Sequence, residues 1–316
     1  MAVVAIDFGG TRLRAAYFDR ELNLLARAEM PTMAHEPQQH VIDRIIRVAQ
    51  QVWPDAGAVD AIGISAPCPM AHTGMIGHAA VVPHWHDVPL AQIVSTAFDG
   101  VPVYMENDAN LGALAEYHKG AAQGANPAVY MTISTGIGGG LVVDGRLFTG
   151  RNGLAIEPGH TKYRGPDGKI YSLQDFAAGP GIVRLAKLKL AACDDVSMLR
   201  DQAELTGQMV GEAAHAGDAV ARSVVEEAGW WLGIGLINVA HMINPEVIVL
   251  GGSVVMGLQD LILNPARQVM QAYVVDPTFY HDDLLRLAHL GDDVCLIGAG
   301  SYARDQSAAQ GNLNPA

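Results

Sequence analysis

The segment Glu106-Asn107-Asp108-Ala109-Asn110 places a carboxylate where an apolar strand gives way to a helix. Open α/β sheets bind ligands at that carboxyl edge. Asp108 there can take the proton of a hydroxyl as its oxygen attacks phosphorus. An Asp ahead of a helix also serves as an ordinary N-cap, so position alone leaves both roles open. Asn107 carries a donor and an acceptor, which can orient a polyol or close a turn. Asp7 precedes a glycine turn and can hold Mg²⁺ through water, because that ion prefers a few carboxylates plus phosphate oxygens. Thr11 can donate its hydroxyl to a phosphate or merely complete the turn. Glu157-Pro158-Gly159-His160 sets an acid and an imidazole on one irregular loop, able to hydrogen-bond vicinal hydroxyls or to lie idle on the surface. His78, His84 and His86 lack carboxylates or cysteines at ligand spacing and make a poor zinc site.

Two glycine bends must position these groups. In Val129 to Gly145, one β-rich run leads into Ser134-Thr135-Gly136 and another leads out, with Gly138, Gly139 and Gly140 between them. Such runs bounded by turn residues read as two strands around a tight bend. Exposed amides there form an anion-binding concavity that the Ser134 and Thr135 hydroxyls extend. The first residues repeat the plan: Val3 to Ile6, Asp7, Gly9-Gly10-Thr11, then a strand to Phe18. A duplicated hairpin suggests two related lobes that each offer backbone donors to one polyphosphate. Gly251-Gly252, after a buried strand, can let an adenine or ribose approach closely, or can simply start a helix. The chain has no G-x-x-x-x-G-K-[ST], so no P-loop. The glycines of 136 to 140 lead into a strand, which also excludes the dinucleotide fingerprint.

At 316 residues the chain fits two domains. Its net charge of −13 argues against nucleic acid, since phosphate contacts need clustered Lys and Arg. Cys68, Cys193 and Cys295 are scattered, as reduced cytosolic thiols are. Met1 leads into a strand without a basic n-region, and Ala228 to Ile243 is too short to span a bilayer. The expectation is a soluble, cytoplasmic protein with no membrane partner.

In chain order, Leu22 to Ala28 reads as a strand and Gln38 to Trp53 as a helix. Val59 to Ser65 and Val101 to Met105 read as strands, and Leu111 to Tyr117 as a helix. Helices are expected at Ile182 to Ala192, Ser197 to Ala216 and Ala219 to Met242, the last capped by Asp218. Glu246 to Leu250 and Val294 to Ile297 read as strands, Gly298 to Arg304 begins a closing helix, and Asp305 to Ala316 reads as disordered. The domains expected are 1–118 with about 298–316, and 119–297.

AIDFGGTRLRAAYFD, MENDANLGALAE, TISTGIGGGLVVDGRLFTG, EPGH and NPEVIVLGGSV fall in the order and spacing of the ROK family of sugar kinases, which this chain resembles from Ala5 to about Gly300. The resemblance implies an α/β fold of two ribonuclease H-like (actin-like ATPase) lobes with a central cleft. It implies ATP held at Asp7, Gly9, Gly10 and Thr11 and at Ser134, Thr135, Gly136 and Gly138, with Gly251 and Gly252 near the nucleoside. Asp108 is then the base acting on a sugar hydroxyl, and Asn107, Asp108, Glu157 and His160 match sugar-contacting positions. The resemblance alone implies a homodimer. Members that repress transcription carry a helix-turn-helix before the first hairpin, and this chain starts at the hairpin.

The chain departs from the family in three places. Thr161 to Ala192 holds no cysteine where many members bind structural zinc, so no zinc site is expected and His160 is free for the sugar. Gln174 stands where the family has a sugar-contacting Glu, and Val81 where it has an Asn. Changed polar partners shift sugar preference strongly. The reading is an ATP- and Mg²⁺-dependent, glucokinase-like hexose kinase acting on C6 of glucose or a related hexose. N-acetylmannosamine, mannose, fructose and allose stay open as substrates, as does a non-catalytic sugar-sensing regulator.

Overall fold

A computed structural model of the chain describes residues 1–67, 74–77, 81–165 and 167–313. The chain divides into two compact units, Met1–Gly124 with Gly145–Ala155 and His289–Ala316, and Ala125–Asp144 with Ile156–Ala288.

The first unit is built on β1 (Val3–Phe8), β2 (Arg12–Phe18), β3 (Leu24–Pro31), β4 (Ala61–Ala66) and β5 (Val103–Asn107), in the order β3-β2-β1-β4-β5. β2 runs antiparallel to both β1 and β3, whereas β4 pairs parallel with β1 and with β5. β1 and β4 are buried at every position, which accounts for their continuous apolar runs. The register sets Asp7 opposite Arg14 on one side and Ser65 on the other. Helix α1 (Gln38–Gln50) buries Val41, Ile45 and Val48 on one face, and α2 (Leu90–Ala97) and α3 (Asp108–Lys119) complete the first run of helices.

In the second unit, β6 (Ala128–Ile133) and β7 (Ile137–Val143) form the antiparallel glycine hairpin. A small hairpin, β8 (Lys162–Arg164) and β9 (Ile170–Ser172), precedes α4 (Gln174–Ala177), α5 (Gly179–Ala192), α6 (Gly207–His215) and α7 (Ala219–Ile243). Asp218 caps α7 by accepting from Ala221 N–H at 2.9 Å. Trp231 on α7 stacks on Phe176 with ring centroids 4.0 Å apart, so it belongs to the core, whereas Trp230 is 41% exposed. β10 (Val247–Gly251) then pairs parallel with β6, α8 (Ser253–Leu258) and α9 (Asp260–Tyr273) follow, and β11 (Leu285–Leu287) lies parallel to β10.

The chain returns to the first unit through α10 (Val294–Leu313), which corrects the reading of its sequence twice. Val294 to Ile297 is the first turn of this helix rather than a strand. A four-residue apolar run suits either state, and here it continues without a break into the helical Gly298 to Arg304. The edge strand is Leu285–Leu287, too short to read as one. The tail from Asp305 is helical to Leu313, with Gln310 accepting from the Tyr104 hydroxyl at 2.8 Å. The expected helix from Ser197 begins only at Gly207, where Thr206 caps it. α10 lies close against its neighbours because glycine permits it: a Cβ at Gly63 would run into the Ala299 carbonyl, and one at Gly298 into that of Leu111.

Glu116, fully buried on α3, fastens the segment by which the chain first leaves this unit and the one by which it last re-enters it. Oε2 accepts from Ala121 N–H at 2.7 Å, and Oε1 accepts from His289 and Leu290 N–H at 3.0 and 3.3 Å. Glu116→Leu would strand these amides, so a loss of about 3 kcal/mol or more is expected in chemical denaturation. A variant within about 0.5 kcal/mol of the parent would show that water replaces the carboxylate.

Candidate active site

In the first unit the site residues lie at the ends of β1 and β5. Asn107 is the N-cap of α3: its Oδ1 accepts from Asn110 N–H at 2.7 Å. The capping role therefore falls to Asn107, and Asp108, the first helical residue, is not needed for it. Among the described residues Asp108 accepts a local bond, from Ala109 N–H at 2.8 Å, and it is exposed. Its pKa is nevertheless raised, first by the loss of hydration among surrounding protein atoms and also by the negative charge of Asp7. The carboxylate is reachable from solvent and its proton affinity is raised. A general base needs both properties.

Asp7 is buried, and its Oδ2 accepts from Arg14 Nη2 at 2.6 Å. The turn that follows is fixed from outside by Thr32, which sequence reasoning missed. The Thr32 hydroxyl donates to the Gly9 carbonyl at 2.6 Å and its N–H donates to the Thr11 carbonyl at 2.9 Å. Gly10 is needed for space, since a Cβ there would meet Val81 at 2.9 Å. A hollow of about 540 Å³ opens beside this turn, lined in part by Gly10, Thr11, Met33, Val81 and His84. Two further groups escaped notice, Glu106 because its burial is not readable from its neighbours and Cys295 because its partners are distant in sequence. Glu106, buried and with its pKa raised by that burial, accepts from Asn107 N–H at 2.8 Å and so braces the strand end behind Asp108. Cys295, at the start of α10, bonds Ser65 and lies within electrostatic reach of Asp7, Asp108 and Arg14, and burial pushes its thiol up.

In the second unit, Ser134, Thr135 and Gly136 form the bend between β6 and β7. Ser134 N–H donates to the Gly136 carbonyl at 2.9 Å, and Thr135 N–H donates to Ser134 Oγ at 2.6 Å. Gly179 N–H takes the Ser134 carbonyl at 2.8 Å and anchors the bend to α5. A pocket of about 820 Å³ lies beside it, lined in part by Ser134, Thr135, Gly179, Gln208, Ser253 and Val254. That is ample for a nucleotide. Gly251 closes β10 and Gly252 turns the chain into α8 at φ +88°, where a Cβ would strike the Ile133 backbone. The structure thus brings the Ser134 bend and the segment after Gly252 to one pocket.

Glu157 precedes a short 3-10 turn, Pro158–His160, that His160 ends, and both are exposed. Gln174 reaches the glycine bend: its Oε1 stands 3.4 Å from Ile137 N–H, and 3.1 Å from where a Cβ of Gly136 would lie. Among the described residues no three His, Cys, Asp or Glu stand together as metal ligands. His78 lies outside the described residues, so the three-histidine group is not defined here.

Of the two α/β units, one carries a glycine hairpin beside a ligand-sized pocket and the other a carboxylate of raised pKa at a strand end. The chain belongs to the ROK family, whose profile matches residues 3–306. Among its relatives are a glucokinase of Halalkalibacterium halodurans, 32% identical over 96% of this chain and 95% of that protein, and an N-acetylmannosamine kinase of Citrobacter koseri, 31% identical over 96% and 99%. Among solved structures it resembles a ROK hexokinase from Thermus thermophilus, with TM-score 0.81 and 32% identity over 98% of this chain and 100% of that one. It also resembles a Streptomyces griseus glucokinase in complex with glucose and AMPPNP, with TM-score 0.74 and 28% identity over 96% and 100%.

An NMR titration of the Asp108 carboxyl carbon should give a midpoint above the ordinary value of 3.8. Asp7→Asn removes a like charge and should lower that midpoint. An unchanged midpoint would mean that the two carboxylates do not feel each other.

Proposed function

We propose that this chain is an ATP- and Mg²⁺-dependent hexose kinase that phosphorylates a sugar hydroxyl, C6 of glucose or a close relative. The observation that carries the reading is Asp108, left free by the Asn107 cap, accessible, and raised in pKa at the end of a strand. In this reading Asp108 accepts the proton of the acceptor hydroxyl as that oxygen attacks the terminal phosphorus of ATP. Asn107 keeps its amide donor for a sugar hydroxyl, since its oxygen is committed to the cap. Glu157 and His160 orient further hydroxyls, and Gln174, next to the Ser134 bend, contributes an amide. Ser134, Thr135, Gly136 and Gly138 hold the phosphate chain with the nucleoside in the pocket beside Gly251 and Gly252. Gly9, Gly10 and Thr11 also serve phosphate oxygens.

The donor set suits magnesium that arrives with the nucleotide. Asp7 has one oxygen occupied by Arg14, and no cage of three ligands surrounds it among the described residues, so a water-mediated contact is what it can offer. When bound, the ion supplies positive charge at the transferring phosphoryl group.

Glucokinase and N-acetylmannosamine kinase relatives are matched almost equally. One observation favours an N-acylated sugar: the hollow beside Gly10 and Thr11 has an apolar wall, with Met33, Ala34, Val81 and Pro83, that suits an acyl methyl group. The reading extends to a cytoplasmic homodimer, the dimer resting on the family resemblance, with no nucleic-acid partner, in keeping with the charge of −13.

An ADP-release assay over glucose, mannose, fructose, allose and N-acetylmannosamine tests the reading, with turnover expected on at least one. Asp108→Asn should lower kcat about 10³-fold while calorimetry finds nucleotide affinity within about threefold of the parent. Substantial turnover by that variant would remove Asp108 from its role, and no turnover on any sugar would favour a sensor.

A further inference from the structure

Arg14 is a partly buried guanidinium beside the site that no step above uses. It faces Asp7 directly across the β1–β2 pair. Its Nε and Nη2 donate to Asp7 Oδ2 at 2.9 and 2.6 Å, and neither bond falls on Oδ1. Nη1 donates to the main-chain carbonyl of Asp292, in the turn that leads into α10. The side chains of Arg14 and Asp7 are only 11% and 8% exposed, so this is a fixed pair rather than a loose surface contact. Arg12, two residues earlier, reaches the Asp292 carboxylate at 3.2 Å but is half exposed, and it does not touch Asp7.

A guanidinium so placed has two consequences for Asp7. Two donors of a rigid fork converge on Oδ2 while the third anchors the fork at a main-chain carbonyl, which fixes the place of that carboxylate oxygen. Its positive charge also opposes any second cation at the same carboxylate unless that cation brings its own negative ligands, as one bound to a triphosphate does. We propose that Arg14 is a positioning residue for Asp7: it holds one carboxylate oxygen, leaves the other to meet the cation of the incoming nucleotide, and keeps a free divalent ion from settling on Asp7 beforehand. This rests on the kinase reading for the source of the cation.

The test measures Mn²⁺ binding to the nucleotide-free protein by electron paramagnetic resonance, alongside steady-state kinetics. Arg14→Met should bind Mn²⁺ about tenfold or more tightly than the parent, and Asp7→Asn/Arg14→Met should lose that gain. Arg14→Met should also lower kcat about tenfold or more with the sugar KM little changed, because Asp7 is no longer held. Arg14→Lys, which keeps the charge without the fork, should leave Mn²⁺ binding weak and recover part of kcat. If Arg14→Met does not fold, Arg14→Gln carries the same two readings. Mn²⁺ affinity equal to that of the parent, or an unchanged kcat, would overturn the proposal. A parent protein inactive on every sugar would instead defeat the kinase reading, while the Mn²⁺ comparison would still decide what Arg14 does to Asp7.

Discussion

Negative charge held beside negative charge is the constraint on which this molecule turns. The protein carries a net charge of −13, yet its glycine bends and pocket suit a polyphosphate. Asp7 and Asp108 sit within electrostatic reach of each other. In the proposed reading main-chain amides of the bends resolve part of the conflict, because they give directed positive potential without a titrating group. Arg14 resolves another part by occupying Asp7. What remains uncompensated is Asp108, and that residual repulsion, added to lost hydration, holds its proton affinity up. The rest of the first unit serves to keep this balance rigid, with Thr32 behind the glycine turn, Glu106 behind the strand end, and α10 pressed against β1 and β4 through Gly63.

What the sequence disclosed was mostly local. Asp7 to Thr11, Ser134 to Gly140 and Glu106 to Asn110 are contiguous segments whose strand–turn patterns can be read in a window of about a dozen residues. The capping of α7 by Asp218 was legible for the same reason. Position alone left Asp108 between cap and base, since both roles want an Asp ahead of a helix. Side-chain geometry at Asn107 removes the capping role, as the Asn oxygen already satisfies the Asn110 amide, and the base role of Asp108 is then the one proposed above.

What stayed hidden depended on partners far away in the chain. Thr32 is an unremarkable residue after a strand until its bonds to Gly9 and Thr11 are drawn. Glu116 reads as one more helical glutamate, although it binds amides some 170 residues downstream. Val294 to Ile297 looked like a strand because four apolar residues carry no period, and Asp305 to Leu313 looked disordered because its small polar residues gain order only against α3 and β5. Periodicity reports which face of an element is apolar, and says nothing about an element that is ordered by contacts at both ends.

Arg14 shows how a residue can be both structural and functional without ambiguity of cause. Its alternation with Leu13 on β2 is ordinary: the apolar neighbour faces the core and the arginine stem crosses to the other side. Only the pairing register sets it opposite Asp7, and a register shifted by one residue would bring Leu13 there instead. The antiparallel hairpin therefore does more than expose amides at its bend. By fixing which residue faces Asp7 it also fixes the charge of the site, so the geometry of the glycine turn and the electrostatics behind it are set by the same pairing of β1 with β2.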